Sequence, residues 1–354
     1  MRKFIEKHDN GIQRALEILP GFVSWNLILF PYWGIFVMPN IVAYFVLTFN
    51  IYWFFQSFQI AINAIISNTR IQAAKIYDWM GDVRGFPDWE KVKHVVIIPT
   101  YKEPLHILER TLDSLAKQEL PTRQIYPVLA MEAKEPEADR EEKWKILEKK
   151  YKDVFGDLFK TVHILKENEV VGKASNEKYA AIWIKENFID AKKLNINYFT
   201  VTSCDADHKF HPKHFACLTY KFLDDPKRHE MFWQPSVMFY NNIWEIPAIS
   251  RVSNTLMSIN NLSQLVRKDK LINTQNYTLS YKLLDKVGYW DADKIPEDWG
   301  IFFKAFYKNG GGVEVEPIYL PLFADAAQSE GFWKTIKNQY QQLQRWAWGV
   351  SDDP

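Results

Sequence analysis

The chain divides into a long uncharged segment and a longer remainder in which short apolar runs alternate with amphipathic stretches. Residues 18–69 contain no Asp, Glu, Lys, Arg or His. A membrane's hydrocarbon core of about 30 Å needs roughly 20 apolar residues per helix. The segment is therefore long enough for two membrane-spanning helices, which we place at 21–38 and 41–66 with a break at Pro39 and Asn40.

Basic residues flank this segment on both sides. Two crossings would return both flanks to the same face of the membrane, and the positive-inside tendency makes that face cytoplasmic. One span followed by a buried or interfacial amphipathic helix is the alternative. The flanking residues are Arg2, Lys3, Lys7, Arg14, Arg70 and Lys75.

Beyond residue 93 the pattern predicts an α/β domain. Short β-branched or apolar runs indicate strands, and longer stretches with helical spacing separate them. Such alternation is typical of βαβ units with a mostly parallel sheet, whose ligands bind beyond the carboxyl ends of the strands. The predicted strands are 94–99, 125–131, 161–166 and 198–204, and the predicted helices are 105–118, 135–152 and 175–187.

Composition narrows the class of protein. The 44 basic and 43 acidic residues give a net charge of +1, so the chain lacks the basic excess typical of nucleic-acid binding, and no nucleic-acid partner is expected. The two cysteines, Cys204 and Cys217, form no C-x-x-C pattern. Neither a structural zinc site nor a disulfide framework is therefore expected.

The sharpest local motif follows the predicted strand 198–204. Asp205 and Asp207 are one residue apart at its end, where both carboxylates can approach one Mg²⁺ or Mn²⁺ that also bridges to a diphosphate. The alternative is an acidic turn that caps the next helix. His208 is more often a neighbour of such a cation than a ligand, although a histidine joins the metal in some sites of this kind.

Two further motifs lie at predicted strand ends or helix starts. Thr100, Tyr101 and Glu103 offer a hydroxyl, an aromatic face and a carboxylate for a base and ribose, or they form a solvated turn before a helix. Lys173, in the stretch 172–176, is placed to contact phosphate or sugar. A plain helix N-terminus capped by Ser175 is the alternative there.

Two motifs near the end of the chain complete the set. Glu297 and Asp298 open a predicted helix, where a carboxylate either complements the helix dipole or acts as a general base toward an attacking hydroxyl. Gln342, Arg345 and Trp346 lie on an amphipathic stretch that begins at residue 331. They line a site for pyrophosphate and sugar, or they are part of the protein core or of a surface at the membrane interface.

In this order and spacing, the motifs resemble the family-2 inverting glycosyltransferases, especially the membrane-anchored branch that contains cellulose and hyaluronan synthases. The resemblance covers residues 94–348 and rests on D-x-D, E-D-W and Q-x-x-R-W in one chain. It implies a GT-A fold, with a mixed, mostly parallel sheet that follows an N-terminal transmembrane helical hairpin. The donor implied is a nucleotide-diphosphate sugar, with a UDP-sugar expected.

The resemblance also implies a role for each matched residue. Asp298, next to Glu297, looks like the catalytic base, and Asp205 and Asp207 resemble the carboxylates that bind the diphosphate and the Mg²⁺ or Mn²⁺. The remaining donor-binding residues implied in this way are Thr100, Tyr101, Glu103, Glu132, which faces the base, Lys173, and the clamp of Gln342, Arg345 and Trp346.

The resulting expectation is an inverting transfer of sugar to a hydroxyl of a polysaccharide or lipid-linked acceptor, at the cytoplasmic face of the cell membrane. A nucleotidyl- or phosphoryl-transferase and a non-enzymatic membrane adaptor are the competing functions. The expected organisation is a cytoplasmic segment 1–17, two membrane helices in 18–69, a linker 70–93, the catalytic domain 94–330 and an interface helix in 331–354.

Two departures from the resembled branch affect this expectation. Pro296 stands where those synthases commonly have a threonine, which leaves acceptor contacts open. Those synthases also continue into further membrane helices, whereas this sequence stops at Pro354. Either the chain is truncated here or the enzyme works without its own channel.

Overall fold

The uncharged segment forms two long helices. The computed structural model describes residues 9–294 and 296–351, and its first compact unit is Met1–Ala61. Helix α1 spans Asp9–Gly34 and helix α2 spans Pro39–Ile76. Both are long and apolar enough to cross a membrane. The share of the apolar stretch that is buried inside the protein is 0% in α1 and 6% in α2. They are consistent with the predicted hairpin.

The predicted break at Pro39 and Asn40 is wrong by a few residues. The chain turns at residues 35–38, where the Met38 N–H donates to the carbonyl of Gly34 at 2.8 Å. Pro39 is instead the first residue of α2, a position that proline favours because the first helical N–H has no intrahelical partner. Helix α2 also runs past the predicted end at residue 66.

Close contacts join α1 and α2 near this turn. The rings of Phe30 and Phe45 meet edge to face, with centroids 5.2 Å apart. A Cβ atom on Gly34 would lie 2.9 Å from the Val42 side chain, which is too close for a larger residue. The small residue therefore allows the two helices to approach at the turn.

The second unit, Ile62–Pro354, contains an eight-stranded sheet in the order β3-β2-β1-β4-β7-β6-β8-β5. Strands β1, β2, β3 and β4 pair in parallel, β7 is antiparallel to both β4 and β6, and β6 and β8 are parallel. The short strand β5 closes the edge, antiparallel to β8. The strands are β1 Lys93–Thr100, β2 Ile125–Glu132, β3 Phe159–His163, β4 Phe199–Ser203, β5 Lys209–Phe210, β6 Met231–Met238, β7 Tyr277–Ser280 and β8 Glu314–Phe323.

Helices cover both faces of this sheet. Helices α4, α5 and α7 contribute to one buried cluster, and α6, α9 and α10 contribute to the other. A π-helical turn, Lys185–Asp190, extends α6. The helices are α3 Trp79–Val83, α4 Leu105–Ala116, α5 Glu137–Tyr151, α6 Lys173–Ile184, α7 His214–Asp224, α8 Ala248–Gln264, α9 Tyr281–Val287, α10 Glu297–Lys308 and α11 Phe332–Ser351.

Strand β1 shows how the sequence produces two cores. Val96 and Ile98 belong to one buried cluster, whereas Val95 and Ile97 belong to the other. Successive side chains of a strand point to opposite faces, so a continuous apolar run fits a strand that is covered on both sides. This arrangement confirms the α/β fold class with a mixed, mostly parallel sheet predicted from the sequence.

Two predicted elements differ from the structure in detail. The sequence predicts the third strand at 161–166, but β3 is Phe159–His163. Beyond it the chain turns, and the Lys166 N–H donates to Glu169 at 2.9 Å. Ser175 does not cap α6, because the helix begins at Lys173 with Gly172 as its N-cap. The Ser175 hydroxyl instead donates to the carbonyls of Val170 and Gly172.

Candidate active site

The carboxyl edge of the sheet brings together residues that are far apart in the sequence. Strands β1, β2 and β4 are parallel, so they all end at this edge. Strand β7 runs the other way and begins there, with Tyr277 opposite Ser203, the last residue of β4. The loop before β7 therefore lies beside Asp205 and Asp207, the pair of carboxylates that follows β4.

Lys173 is the central charge at this edge. Its Nζ atom lies 2.8 Å from Asp205 Oδ1 and 3.0 Å from Glu297 Oε1. It also donates to the carbonyl of Gln275 at 2.9 Å and lies 3.8 Å from Glu177 Oε1. One ammonium thus faces three carboxylates from three separate elements. We refer to Lys173, Glu177, Asp205 and Glu297 as the Lys173 cluster.

The cluster shifts the pKa values of its members. Burial raises the pKa of Glu177 to about 8 and that of Glu297 to about 7, although Lys173 opposes both shifts. Burial disfavours the charged form of Lys173 as well, but the surrounding carboxylates hold its pKa well above the usual value. Burial also acts to raise the pKa of Asp205, and Lys173 outweighs it, so that pKa is lowered.

Asp298 lies beside the cluster and is held differently from Glu297. Its Oδ2 accepts the Gln275 N–H at 2.9 Å, and its Oδ1 accepts the Trp299 N–H at 2.9 Å. The Asn273 amide also donates to its backbone carbonyl. Among the described residues, no ion pair engages this carboxylate. Burial raises its pKa in spite of the backbone hydrogen bonds, which makes it a stronger base than an exposed aspartate.

A second group of side chains at this edge fits a divalent cation. One ligand atom each from Asp205, Asp207 and His208 lies within 4.8 Å of the others. Two hydrogen bonds hold Asp207 in place. The Asp325 N–H donates to its Oδ2 at 2.9 Å, and Arg110 donates to its backbone carbonyl at 3.1 Å. Two carboxylates and an imidazole suit Mn²⁺, and the carboxylates alone suit Mg²⁺.

The end of β1 and the turn that follows hold Thr100, Tyr101 and Glu103. The Glu103 Oε2 atom accepts the Thr100 hydroxyl at 2.9 Å and also the Tyr101 N–H. The Tyr101 side chain is exposed. Two of the three predicted nucleoside contacts are thus hydrogen-bonded to each other, and the aromatic ring of the third faces solvent.

Glu132 lies at the carboxyl end of β2, opposite His163 on β3. Its side chain is half-buried, and burial raises its pKa. The Arg140 guanidinium donates to the carbonyls of Ala133 and Glu135, which orders the turn that follows. Glu132 is therefore at the same sheet edge as Thr100 and Asp205, at the side nearer β3.

The three residues of the Q-x-x-R-W motif lie on α11. Gln342 and Arg345 line an open pocket of about 590 Å³, and the Trp346 ring packs near Phe239, with centroids 6.4 Å apart. In the described part of the chain, no hydrogen bond or ion pair links these side chains to Lys173. The predicted residues that lie together at the sheet edge are Lys173, Asp205, Asp207, Glu297 and Asp298. Gln342 and Arg345 line a different pocket.

The sequence does not identify several residues at the carboxyl edge of the sheet. Glu177 is fully buried and accepts the Ser203 hydroxyl at 2.6 Å. Its spacing of four residues from Lys173 on a helix was the available signal. No comparable signal marks Asn276, Arg110 or Asp325. Only the tertiary fold brings Asn276 to His208, and Arg110 and Asp325 to Asp207.

Comparison with protein families gives one match to this region. Residues 200–353 match the family described as glycosyl transferase family group 2. The matched segment includes Asp205, Asp207, Glu297 and Asp298, and it ends beyond the Q-x-x-R-W motif. The match supports a glycosyltransferase domain in the C-terminal part of the chain and agrees with the predicted GT-A fold.

Comparison with solved structures finds similar chains at low sequence identity. One is the mannosyltransferase PcManGT from Pyrobaculum calidifontis in complex with GDP-Man and Mn²⁺, at 16% identity and a TM-score of 0.44, covering 83% of this chain and 77% of that one. Another is residues 1–349 of S. aureus TarS in complex with UDP-GlcNAc, at 16% identity and a TM-score of 0.43, covering 71% and 66%. No curated protein matches the chain.

Proposed function

We propose that the protein is a metal-dependent inverting glycosyltransferase of the membrane-anchored, cellulose and hyaluronan synthase-like branch. It moves a sugar from a nucleotide-diphosphate donor, expected to be a UDP-sugar, to a hydroxyl acceptor. The observation that carries the proposal is the Lys173 cluster, with Asp298 beside it and the Asp205, Asp207 and His208 group next to it. The family match over residues 200–353 supports the same class.

The charge balance of the edge supports a divalent cation. Lys173 is shared by Glu177, Asp205 and Glu297, and Asp207 and Asp298 add two more carboxyl groups nearby. An anionic diphosphate would be repelled by this excess of carboxylates. A bound Mg²⁺ or Mn²⁺ supplies positive charge that stabilises the departing nucleoside diphosphate. Asp205 and Asp207 would hold it, and Lys173 would bind diphosphate oxygens beside them.

Asp298 is the proposed general base, and Glu297 orients Lys173. Glu297 Oε1 already lies 3.0 Å from the Lys173 ammonium, whereas both Asp298 oxygens are oriented by backbone N–H groups. Asp298 takes the proton of the acceptor hydroxyl as that oxygen attacks the anomeric carbon. Attack from the face opposite the leaving diphosphate inverts the anomeric configuration.

The remaining predicted residues complete the donor and acceptor sites in this proposal. Thr100, Tyr101, Glu103 and Glu132 surround the nucleoside at the ends of β1 and β2, and Gln342, Arg345 and Trp346 contact donor and acceptor from α11. The two apolar helices anchor the enzyme in the membrane, with transfer on the cytoplasmic side for polysaccharide or glycolipid synthesis.

The test is the Asp298→Asn variant in purified membranes. We expect donor binding to persist and transfer to fall by about 10²–10⁴, the usual contribution of a general base. A panel of nucleotide sugars that includes UDP-GlcNAc and GDP-mannose is assayed for released UDP or GDP. Asp291→Asn, which removes a half-buried partner of Lys304, is the matched control and should keep full activity.

The products also separate this function from its competitors. Release of pyrophosphate in place of a nucleoside diphosphate would identify a nucleotidyltransferase. Absence of metal-dependent nucleotide-sugar binding, measured by thermal shift with Mn²⁺, would favour a membrane adaptor. If Asp298→Asn transfers sugar at a rate near that of the wild type, Asp298 is not the general base.

A further inference from the structure

Helix α8, Ala248–Gln264, carries three exposed apolar side chains on one face. Ile249, Val252 and Leu256 are 63%, 60% and 60% exposed. Residues three and four apart lie on the same side of a helix, so the three side chains form one continuous apolar row. We refer to Ile249, Val252 and Leu256 as the α8 stripe.

The opposite face of α8 is polar, and it is the buried one. Ser250, Asn254 and Ser258 are at most 3% exposed. The Ser258 hydroxyl accepts the N–H of Phe239, the residue after β6, at 3.0 Å. A helix on the surface of a water-soluble domain has the reverse arrangement and buries its apolar face, as α4 does with Leu112. The burial pattern of α8 therefore suits an apolar environment on its outer side and not water.

Two hydrogen bonds place the carboxyl end of α8 beside the end of the uncharged segment. The carbonyl of Leu265, the residue after α8, accepts the Tyr319 hydroxyl at 2.9 Å. The Arg70 guanidinium donates to the same hydroxyl oxygen at 2.6 Å. Arg70 is the first charged residue after residues 18–69, and it lies on the part of α2 that belongs to the second unit. The end of α8 is therefore at the level where α2 changes from uncharged to charged residues.

The charges around the stripe also fit a membrane surface. Residues 246–268 contain three basic residues and no acidic one, and basic residues are attracted to anionic lipid headgroups. The Arg251 guanidinium lies 4.8 Å from the centroid of the Trp244 ring, and Trp244 is 79% exposed. Tryptophan and arginine both combine an apolar body with a polar end, which suits the boundary between lipid and water.

We propose that the α8 stripe is a membrane-binding surface that enters the headgroup region of the bilayer which α1 and α2 are proposed to span. The proposal rests on the proposed function for the membrane anchor alone and does not depend on glycosyl transfer. A second copy of the chain fits the stripe less well, because a stable protein interface takes about 20–30 residues a side. Lipid contact at α8 holds the catalytic domain against the membrane at a second point besides α2.

The test uses the full chain in vesicles of phosphatidylcholine and phosphatidylglycerol, with a nitroxide spin label on one introduced cysteine at a time. The two stripe variants are Val252→Cys and Leu256→Cys. Cys204 and Cys217 are buried, and the wild type measures any labelling of them. Electron paramagnetic resonance compares collisions of the label with oxygen, which concentrates in lipid, and with a water-soluble nickel complex. At both stripe positions we expect the ratio of oxygen to nickel collisions to exceed that of a water-exposed control several-fold.

Ile164→Cys is the matched control for an exposed apolar side chain. Ile164 is 72% exposed and follows β3, which lies near the opposite edge of the sheet from β8 and its Tyr319. Its label should collide mainly with the nickel complex. Phe55→Cys, on the uncharged part of α2, reports the anchor itself, and its label should collide mainly with oxygen. If one of the two stripe variants fails to fold, the other still decides the question.

Three results would overturn the proposal. Stripe labels that meet the nickel complex as often as the Ile164 label does would place α8 in water. Labels shielded from both reagents would indicate a protein partner, and spin–spin broadening between chains would indicate a second copy. The anchor fails by a separate reading, a Phe55 label that collides mainly with the nickel complex. Glycosyl transfer fails by the absence of released UDP or GDP, so a chain with stripe labels in lipid but no transfer would keep this proposal and lose the other.

Discussion

Strands β1 and β4 carry buried polar groups at both ends, and the two ends differ. At the amino end, the His94 ring lies between the hydroxyls of Thr200 and Thr219, at 2.7 and 2.8 Å from its two nitrogens. At the carboxyl end, Lys173 is shared among several carboxylates. Glu177 there keeps one buried oxygen without a partner among the described residues.

The difference separates a structural site from the candidate functional site on the same strands. Burial lowers the pKa of His94 to about 3, so the ring is neutral at pH 7 and both nitrogens are hydrogen-bonded. A neutral, satisfied cluster adds stability and needs no ligand. The carboxyl end instead holds an excess of negative charge, which a cation and a substrate would complement.

The largest effect is expected when the central charge of the carboxyl end is removed. Lys173→Met leaves Glu177, Asp205 and Glu297 without their shared ammonium. Breaking a buried ion pair costs about 3–5 kcal/mol, and Lys173 keeps part of its surface exposed, so we expect a loss of about 2–4 kcal/mol. Thermal unfolding in detergent measures the loss, which should grow from pH 6 to pH 9 as the carboxyl groups are forced to ionise.

Lys160→Met is the control for this variant. Lys160 pairs with the partly exposed Glu141 at 2.7 Å, and pairs of this kind contribute about 0–1 kcal/mol. If the Lys173→Met protein is as stable as the Lys160→Met control at pH 9, the Lys173 ammonium does not contribute the expected stability.

An intermediate effect is expected from acid on each of two buried histidines at the amino end. Burial lowers the pKa of both His94 and His214 to about 3, compared with about 6.5 in an unfolded chain. Between these values each of the two histidines binds its proton in the unfolded state and not in the folded state, so their contribution to stability falls as the pH falls below 6.5. The expected slope is about 1.4 kcal/mol per pH unit for each histidine.

His214→Phe isolates one of the two contributions. Both ring nitrogens of His214 lack partners in the described structure, and the ring meets Phe210 edge to face at 4.9 Å. We expect this variant to keep its stability at pH 7 and to have a pH slope of stability between pH 6.5 and 5 that is lower than in the wild type by about 1.4 kcal/mol per pH unit, the contribution of one histidine. Unfolding midpoints across this range measure the slope, and an unchanged slope would contradict the assignment.

The smallest effect is expected from a single hydrogen bond at the amino end. Thr219→Val removes the hydroxyl next to His94 Nε2 and leaves that nitrogen buried without a partner. The expected cost is about 1–2 kcal/mol, with glycosyl transfer unchanged because the site lies at the other end of the strands. A large loss of activity without loss of stability would contradict the separation of the two ends.

Much of the fold could be predicted because local patterns specify it. The run 94–99 is apolar on both faces, and the structure extends it only to Lys93–Thr100. The predicted third strand begins two residues late and ends three residues late, because its ends are fixed by pairing with β2 and not by its own composition. The turn between the apolar helices was misplaced because proline begins a helix as readily as it ends one.

The candidate site was predictable as a list of residues but not as an arrangement. Asp205, Asp207, Glu297 and Asp298 stand out in sequence because acidic pairs at strand ends and helix starts are chemically distinctive. Their roles separate only in three dimensions. Glu297 meets Lys173, whereas Asp298, one residue later, is held by backbone N–H groups.

Local patterns in the chain specify the uncharged pair of helices, the α/β class and the acidic motifs, because each depends on residues close together in the sequence. Which groups share Lys173, and which amide faces His208, depends on contacts between distant segments. Gln275 and Asn276 reach Lys173 and His208 only because β7 runs antiparallel to β4 and begins where β4 ends. Strand direction between distant segments is set by packing of the whole sheet, and local spacing does not encode it.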